Sequence, residues 1–435
     1  MPKNVIVALS GGPSPVINAS LYGVIEGCRS YPDIFGTVYA GQNGVEGILE
    51  ERLLNLSAQD PKEIQFLRTT PAAGSIGTCR YKLREKQQED FDRIFDVFKA
   101  HAIDYFLYVG GNDSMDTAHK VSEMARERSV GLVAAGVPKT VDNDVGGKLL
   151  PDGRRFELID HTPGYGSCAR YWQFYIQKAN EENRGSYPSD PVLVVQAMGR
   201  RIGFIPAAAR LADPRREIPM QIYMTESGCS LEELAENVNA MLREHKRGIV
   251  VVSEGFDVGS DSALRDSFGH AQYSTGTPAA EVVTAYLNKI GLPVRGAARF
   301  NVPGTDQRGD IFYASGLDLK EAELVGRKAV DIAANEGTGY MATILREPGD
   351  DYEVRYDKVS LEAVANSERT FPQQWIAESR VDVTDDFLVY AEPLVRGDPE
   401  YEVIPIDANG LARFARLRPV MAEQKLGEYV PQAYR

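Results

Sequence analysis

Residues 103–144 read IDYFLYVGGNDSMDTAHKVSEMARERSVGLVAAGVPKTVDND. Ile103 to Val109 is an apolar, aromatic-rich run that stops at Gly110-Gly111, the pattern of a buried strand closed by a turn. Met115, Ala118, Val121, Ser122 and Ala125 then recur at helical spacing, which predicts a helix starting near Asn112 or Asp113. A second buried strand, Gly131 to Val137, follows directly. Strand, Gly-Gly turn, helix and strand make a βαβ unit with a parallel pair. Open parallel sheets bind ligands beyond the carboxyl ends of their strands. One strand delivers Gly110-Gly111-Asn112-Asp113-Ser114 to that edge, and the other delivers Pro138-Lys139-Thr140-Val141-Asp142-Asn143-Asp144. Glycine backbone, a lysine, hydroxyls and carboxylates together are the inventory of a phosphoryl-transfer site with a divalent metal.

These two segments resemble the Gly-Gly-Asp-(Gly/Asp) loop and the Pro-(Gly/Lys)-Thr-(Ile/Val)-Asp-Asn-Asp loop of the phosphofructokinase family. The second is the more specific, because it holds two acids at a set spacing. The first also occurs in NAD and lipid kinases. Taken singly, each segment is also an ordinary βα turn or a polar capping turn. Both at this spacing point to the family.

Composition is that of an ordinary soluble globular protein. The chain has 435 residues, 43% of them apolar and 25% charged, which suggests two or three folded units. No apolar run approaches the roughly 18 residues of a membrane-spanning helix. MPKNVIVALSGG at the start lacks a signal-peptide pattern. The four cysteines and five histidines are scattered, so reduced thiols and no zinc site are expected. These features imply a cytoplasmic protein. A net charge of −14, from 48 basic and 62 acidic residues, disfavours nucleic-acid or anionic-membrane partners. Phosphorylated anions would need local concentrations of Arg and Lys.

Such concentrations recur along the chain. Val5 to Leu9 reads as a strand ending in Ser10-Gly11-Gly12, followed by a helix through Val16, Ile17, Leu21, Val24 and Ile25. In the family this turn holds the phosphoryl donor, which makes Gly11 and Gly12 backbone contacts for it; Pro13-Ser14-Pro15 departs from the family pattern. Gly41 to Gly47 and Gly74 to Arg80 resemble two further family loops, and the resemblance aims Arg80 at the donor phosphates. Gly111, Asn112 and Ser114 join that donor set. Pro191 to Ala197 is a buried strand leading to Met198-Gly199-Arg200, similar to the family's sugar-phosphate loop. Ser230 and Glu233 form a capping box before a helix. Gly248 to Ser253 is a strand with Glu254 at its end. Gly304-Thr305-Asp306-Gln307-Arg308 resembles the family's turn that binds the 6-phosphate, with Thr305 in place of the usual His or Tyr. Arg299 stands where the family has an arginine that reaches the neighbouring subunit's site. Beyond Pro348 no family motif occurs; 351–357 and 387–392 alternate like strands and 411–417 has helical spacing.

The resemblance spans roughly residues 3–346. It implies an α/β fold of two Rossmann-like three-layer domains with the site in the cleft between them, plus a C-terminal extension. The expected division is 1–155, joined by part of 305–345, for the donor; 156–304 for the sugar phosphate; and 346–435 as the extension. The implied reaction is phosphorylation of the 1-hydroxyl of fructose 6-phosphate by a homo-oligomer, with a dimer as the minimum. Asp142 would be the general base, with Thr140 and Asp144 orienting it and the hydroxyl. Met198, Gly199, Arg200, Glu254, Arg299, Thr305 and Arg308 would hold the sugar phosphate. Mg²⁺ would bridge donor oxygens, with Asn112 and Asp113 as its candidate ligands, since Asn112 replaces the family's usual acid. Asp113 and Lys139 each replace a glycine of ATP-using members, which favours pyrophosphate as donor. An ATP-dependent enzyme and a noncatalytic sugar-phosphate-binding paralogue are the alternatives.

Overall fold

A computed structural model describes the chain except residues 260–263, 266–270, 273–275, 366, 402 and 403, with backbone alone at 264–265 and 271–272. The strands are β1 (Lys3–Leu9), β2 (Phe35–Gly41), β3 (Leu53–Asn55), β4 (Ile103–Gly110), β5 (Val133–Pro138), β6 (Val192–Ala197), β7 (Met220–Tyr223), β8 (Gly248–Ser253), β9 (Leu264–Arg265), β10 (Ala271–Gln272), β11 (Ala298–Asn301), β12 (Tyr340–Arg346) and β13 (Val354–Ser360). The chain divides into two units. The first comprises residues 1–164, 316–369 and 397–435; the second comprises 165–315 and 370–396.

The first unit is built on a seven-stranded sheet in the order β13-β12-β5-β4-β1-β2-β3. β12, β5, β4, β1 and β2 run parallel, and the two edge strands are antiparallel to their neighbours. β1 is apolar without alternation because it is covered on both faces: Val5 through Leu9 are all buried. One face carries helices Ile17–Arg29 and Gly316–Asn335, which bury Leu21, Val24, Val325 and Ala329. These helices touch backbone to backbone. A Cβ at Gly23 would lie 2.0 Å from the Glu323 carbonyl oxygen, and one at Gly326 would lie 2.4 Å from that of Ser20. The other face carries helices Gln88–Ala100 and Asn112–Glu127, with Phe91, Ile94, Phe98, Met115 and Val121 inward. This is the three-layer α/β arrangement.

The second unit has a four-stranded parallel sheet, β11-β6-β8-β7. β9 and β10 form a short antiparallel pair. Helix Leu231–His245 begins with the capping box at Ser230 and Glu233 and buries Leu234, Val238 and Leu242 against the sheet. Phe204, Phe371, Trp375, Phe387 and Tyr390 make a buried aromatic cluster of edge and tilted pairs.

The C-terminal stretch is shared between the units. Residues 346–369 and 397–435 belong to the first, through β13 among others, and 370–396 belong to the second. Two local expectations there are corrected. Residues 387–392 are not a strand; helix Asp385–Ala391 occupies the position, with Phe387 and Tyr390 at helical spacing in the aromatic cluster. Residues 411–417 are not a helix. They run extended because the first unit captures their backbone: Ala415 N–H donates to Thr70 Oγ1 (2.8 Å), and Arg416 N–H to Glu63 (2.6 Å). Farther on, Asn55 N–H donates to the Val420 carbonyl and Ala422 N–H to that of Leu53, so the tail blunts the exposed edge of β3.

Candidate active site

The parallel register of the first unit brings together the residues expected to hold the donor. Leu9 pairs with Val109, Val109 with Val137, and Gly110 with Pro138. Three loops therefore leave one sheet edge at one level. They are then stitched together. Lys139 is 3% exposed, and its Nζ donates to the carbonyls of Ser10 (2.9 Å) and Gly12 (2.8 Å). Gly11 N–H donates to the Cys79 carbonyl (2.9 Å) and Thr78 Oγ1 to the Gly11 carbonyl (3.0 Å), which brings the half-buried Arg80 to the first turn. Gly11 adopts φ +79°, a conformation that favours glycine. Its N–H bond to the Cys79 carbonyl holds this turn to the 78–80 segment.

Asn112 begins its helix directly after Gly111, so Gly111, Asn112 and Asp113 sit where unsatisfied N–H groups and the dipole favour an anion. Ser114 is buried against Gly110, where a Cβ would lie 2.0 Å from Ser114 Oγ. Ser114 therefore packs this turn. Asp113 Oδ1 lies 2.6 Å from Lys82 Nζ. Asn112 Nδ2 donates to the Asp144 carbonyl (3.1 Å), which ties the first loop to the second. Asn112 Oδ1 is buried and accepts no hydrogen bond among the described residues. A buried amide oxygen of this kind fits a hard cation. No group of three or more His, Cys, Asp or Glu gathers among the described residues.

The second loop is a tight, internally bonded turn. Asp142 N–H donates to Thr140 Oγ1 (3.2 Å), so Thr140 orients Asp142 through its backbone. Thr140 is anchored in turn, its N–H to the Pro163 carbonyl (3.2 Å) and its carbonyl to Thr162 Oγ1 (3.0 Å). Asn143 takes φ +56° and is fully buried. Asp144 is buried and Asp142 half-buried. Next to this turn lies a buried charge network unforeseen from the sequence. His161 Nδ1 is 3.0 Å from Asp160 and its Nε2 is 2.7 Å from Glu321; Arg346 is 2.9 Å from Asp160, and Tyr352 OH donates to Glu321 (2.6 Å). Burial alone would lower the His161 pKa, but Glu321 and Asp160 outweigh it and raise it to about 9. Burial alone would raise the Asp160 carboxyl, but Arg346, His161 and Arg369 hold it below the usual range.

The sugar-phosphate candidates lie in the second unit, at the carboxyl ends of its parallel strands. β6 leads into Met198-Gly199-Arg200 and β8 into Glu254. Arg200 N–H donates to Glu254 Oε1 (2.8 Å), with Gly199 at φ +116° and Arg200 at φ +54°. Gly255 admits this turn, since a Cβ there would lie 2.0 Å from the Arg200 carbonyl oxygen. Gln307 is buried and links three pieces. Its Oε1 accepts from Met198 N–H (2.9 Å) and Trp172 Nε1 (3.0 Å), and its Nε2 donates to the Gly304 carbonyl (3.0 Å). Arg308 lies beside it on a short helix, Asp306–Gly309, and Thr305 stands just before that helix. Arg299 stands apart: its side chain is 67% exposed and pairs with Asp190 (2.9 Å).

The Phosphofructokinase family model matches residues 4–333. The chain belongs to the phosphofructokinase family. It is 36% identical over 434 residues to a pyrophosphate–fructose 6-phosphate 1-phosphotransferase of Methylococcus capsulatus, covering 98% of each chain. A protein of the same name from Halomonas elongata is 35% identical, with 98% of this chain and 99% of the other covered. A solved pyrophosphate-dependent phosphofructokinase from Marinobacter aquaeolei superposes with a TM-score of 0.84 at 34% identity, covering 98% of this chain and 99% of that one. No helix among the described residues is long and apolar enough to cross a membrane.

The His161 network makes stability depend on alkaline pH. A histidine raised from 6.5 to about 9 by folding contributes stability that is complete below about pH 6.5 and is lost as pH rises through about 9. The denaturant midpoint of the wild type is expected to fall over that window. His161→Gln, which cannot take up the proton, is expected to flatten the decline; an unchanged slope would remove His161 as its source.

Proposed function

We infer that this phosphofructokinase moves a phosphoryl group from pyrophosphate to the 1-hydroxyl of fructose 6-phosphate, giving fructose 1,6-bisphosphate and phosphate in a reversible reaction. The observation that carries the donor assignment is the pair of charged residues at the first turn. Lys139 fixes a buried ammonium on Ser10 and Gly12, and Asp113 is fixed by Lys82 at the start of its helix. The full-length relatives named for pyrophosphate support the same reading.

Asp142 serves as the general base for the 1-hydroxyl proton. Its backbone is set by Thr140, and the half-buried carboxylate needs only to be positioned. Asp144 and Thr140 orient the hydroxyl. The N-terminus of helix Asn112–Glu127, Gly12 and Arg80 receive the donor phosphates. Arg200 and Arg308 hold the 6-phosphate, Glu254 accepts from the sugar hydroxyls, and Met198 with Gly199 shapes the loop. Asn112 Oδ1 would hold Mg²⁺, with Asp113 nearby, and the ion would neutralise charge on the donor oxygens. A cytoplasmic homo-oligomer fits this role.

Asp142→Asn and Asp142→Ala are expected to lower kcat by about 10²–10⁴-fold with smaller changes in KM; steady-state rates within a few-fold of the wild type would remove Asp142 as base. Donor choice is tested by assaying purified enzyme with pyrophosphate, ATP and polyphosphate. Pyrophosphate is expected to dominate, Asp113→Gly to admit ATP, and Lys139→Gly to slow transfer from pyrophosphate. ATP rates equal to or above pyrophosphate rates in the wild type would overturn the assignment. Arg299 is assigned to a neighbouring subunit's sugar site, because its exposed side chain is held by a surface ion pair, a type typically worth about 0.2–1 kcal/mol. Mixing Asp142→Ala with Arg299→Ala protein under conditions of subunit exchange is expected to restore activity. Absence of rescue with exchange demonstrated by mass spectrometry would count against a shared site.

A further inference from the structure

Arg369 lies in the C-terminal stretch, where no family motif occurs, yet it converges on the Asp142-Asn143-Asp144 turn. It is 3% exposed. Its Nε donates to the Asn143 carbonyl (2.6 Å), its Nη2 to Asn143 Oδ1 (2.5 Å), and its Nη1 to the carbonyls of Ile159 (2.9 Å) and Asp160 (3.0 Å). Its own backbone N–H donates to the Asp144 carbonyl (3.0 Å). The guanidinium lies over the Phe156 ring at 4.0 Å. All of these groups belong to the first unit.

The turn needs such a partner. Asn143 is fully buried at φ +56°, a conformation that asparagine tolerates but does not prefer. A buried carbonyl and side-chain oxygen must find donors within the protein. Asn143 Oδ1 also accepts from Thr162 N–H (3.0 Å) and from Thr162 Oγ1 (3.4 Å), and the Asn143 carbonyl accepts from Arg369 Nε. An arginine is suited to this because its planar fork presents N–H groups in fixed directions to several acceptors at once. A lysine has a single nitrogen and cannot reach the Asn143 carbonyl, its side chain and the 159–160 carbonyls together. With Asn143 clamped, the residues on either side of it, Asp142 and Asp144, inherit fixed backbone directions.

We propose that Arg369 is a positioning residue for phosphoryl transfer: it clamps Asn143 and thereby aims the Asp142 carboxylate at the acceptor hydroxyl. The proposal rests on the assignment of Asp142 as base. Acting through Asn143, Arg369 would affect the rate of the chemical step and not binding. A misplacement on the order of 1 Å can cost about 10²-fold in rate, and that bounds the effect.

The test uses full-length Arg369→Lys, Arg369→Ala and Asn143→Gly. Glycine accepts the positive φ at 143 while removing the side-chain oxygen that Arg369 holds. Each is assayed for kcat, KM of both substrates and melting temperature, well below the transition. The expected result for Arg369→Lys is a loss of about 10–100-fold in kcat with both KM values within about threefold. Asn143→Gly is expected to show the same split with a smaller loss. Adding Arg369→Lys to Asp142→Asn is expected to cost little more than Asp142→Asn alone, because the clamp acts through Asp142. A purely structural role would instead lower the melting temperature of Arg369→Lys and leave kcat intact, and that outcome overturns the proposal. If the Arg369 variants do not fold, Asn143→Gly decides: a wild-type kcat overturns the clamp. Impaired Asp142→Asn with normal Arg369→Lys would refute the clamp alone. Normal Asp142→Asn would refute the base assignment on which it rests.

Discussion

The parallel pairing of β1, β4 and β5 is the constraint from which the donor side follows. Parallel strands all end at the same edge, and the register places Leu9, Val109 and Val137 side by side. The Gly11-Gly12, Gly111-Asn112 and Lys139-Thr140 segments must then emerge next to one another. Long-range bonds convert that adjacency into a fixed arrangement. Lys139 spans from the end of β5 to the turn after β1, and Asn112 spans from the turn after β4 to Asp144. Neither bond could form if one strand were reversed or shifted by a residue, because a one-residue slip turns each side chain to the opposite face. The second unit repeats the logic, with β6 and β8 delivering Arg200 and Glu254 to one edge.

Much of this was legible in the chain because the relevant signals are local. Ile103–Val109 and Val133–Val137 are apolar runs closed by turn residues, and Ser230 with Glu233 marks a helix start on its own. The two acidic-loop residues and the Met198-Gly199-Arg200 turn carry their chemistry within a few positions. What was not legible depends on partners far away in sequence. Arg369 is an arginine among polar residues until the fold brings it to Asn143, more than two hundred positions earlier. The Lys82–Asp113 pair and the bond from Gly11 N–H to Cys79 are likewise products of folding. Residues 411–417 show the same effect in secondary structure. Their apolar spacing suits a helix, yet the hydrogen bonds offered by Thr70 and Glu63 hold them extended, a tertiary override of a weak local preference.

The His161 network and Arg369 place several charges in the interior around the second loop. Buried ion networks are poor sources of net stability, because desolvation offsets most of the attraction. Their value here is geometric. Asp160 is shared by His161 and Arg346, and the Asp160 carbonyl is held by Arg369. Thr162, two residues on, donates to Asn143. The segment 159–162 is thus a rigid backing for the turn that bears Asp142. A general base gains little from an unusual environment if it is displaced from the proton it removes, so rigidity at this place is the property that matters.

In the proposed reaction, Lys139 and Lys82 would divide the work of selecting a donor. The Ser10 and Gly12 carbonyls orient the Lys139 ammonium, which places a positive centre at the turn after β1. Lys82, by contrast, lies 2.6 Å from Asp113, and that pair is nearly neutral as a unit. Like charges near 4 Å in a solvated cleft repel by about 1–4 kcal/mol, but a carboxylate already paired with an ammonium exerts less than this on a nucleotide's extra phosphate. On the proposed assignment, discrimination against ATP at Asp113 would therefore be chiefly a matter of volume. A carboxylate and its partner fill space beside the helix start that a glycine would leave open, while Lys139 would supply the attraction that pyrophosphate, lacking a nucleoside to bind, must obtain from the protein. Shape would then exclude the larger donor and charge retain the smaller one, which is how a specificity difference is built from one repulsive and one attractive element.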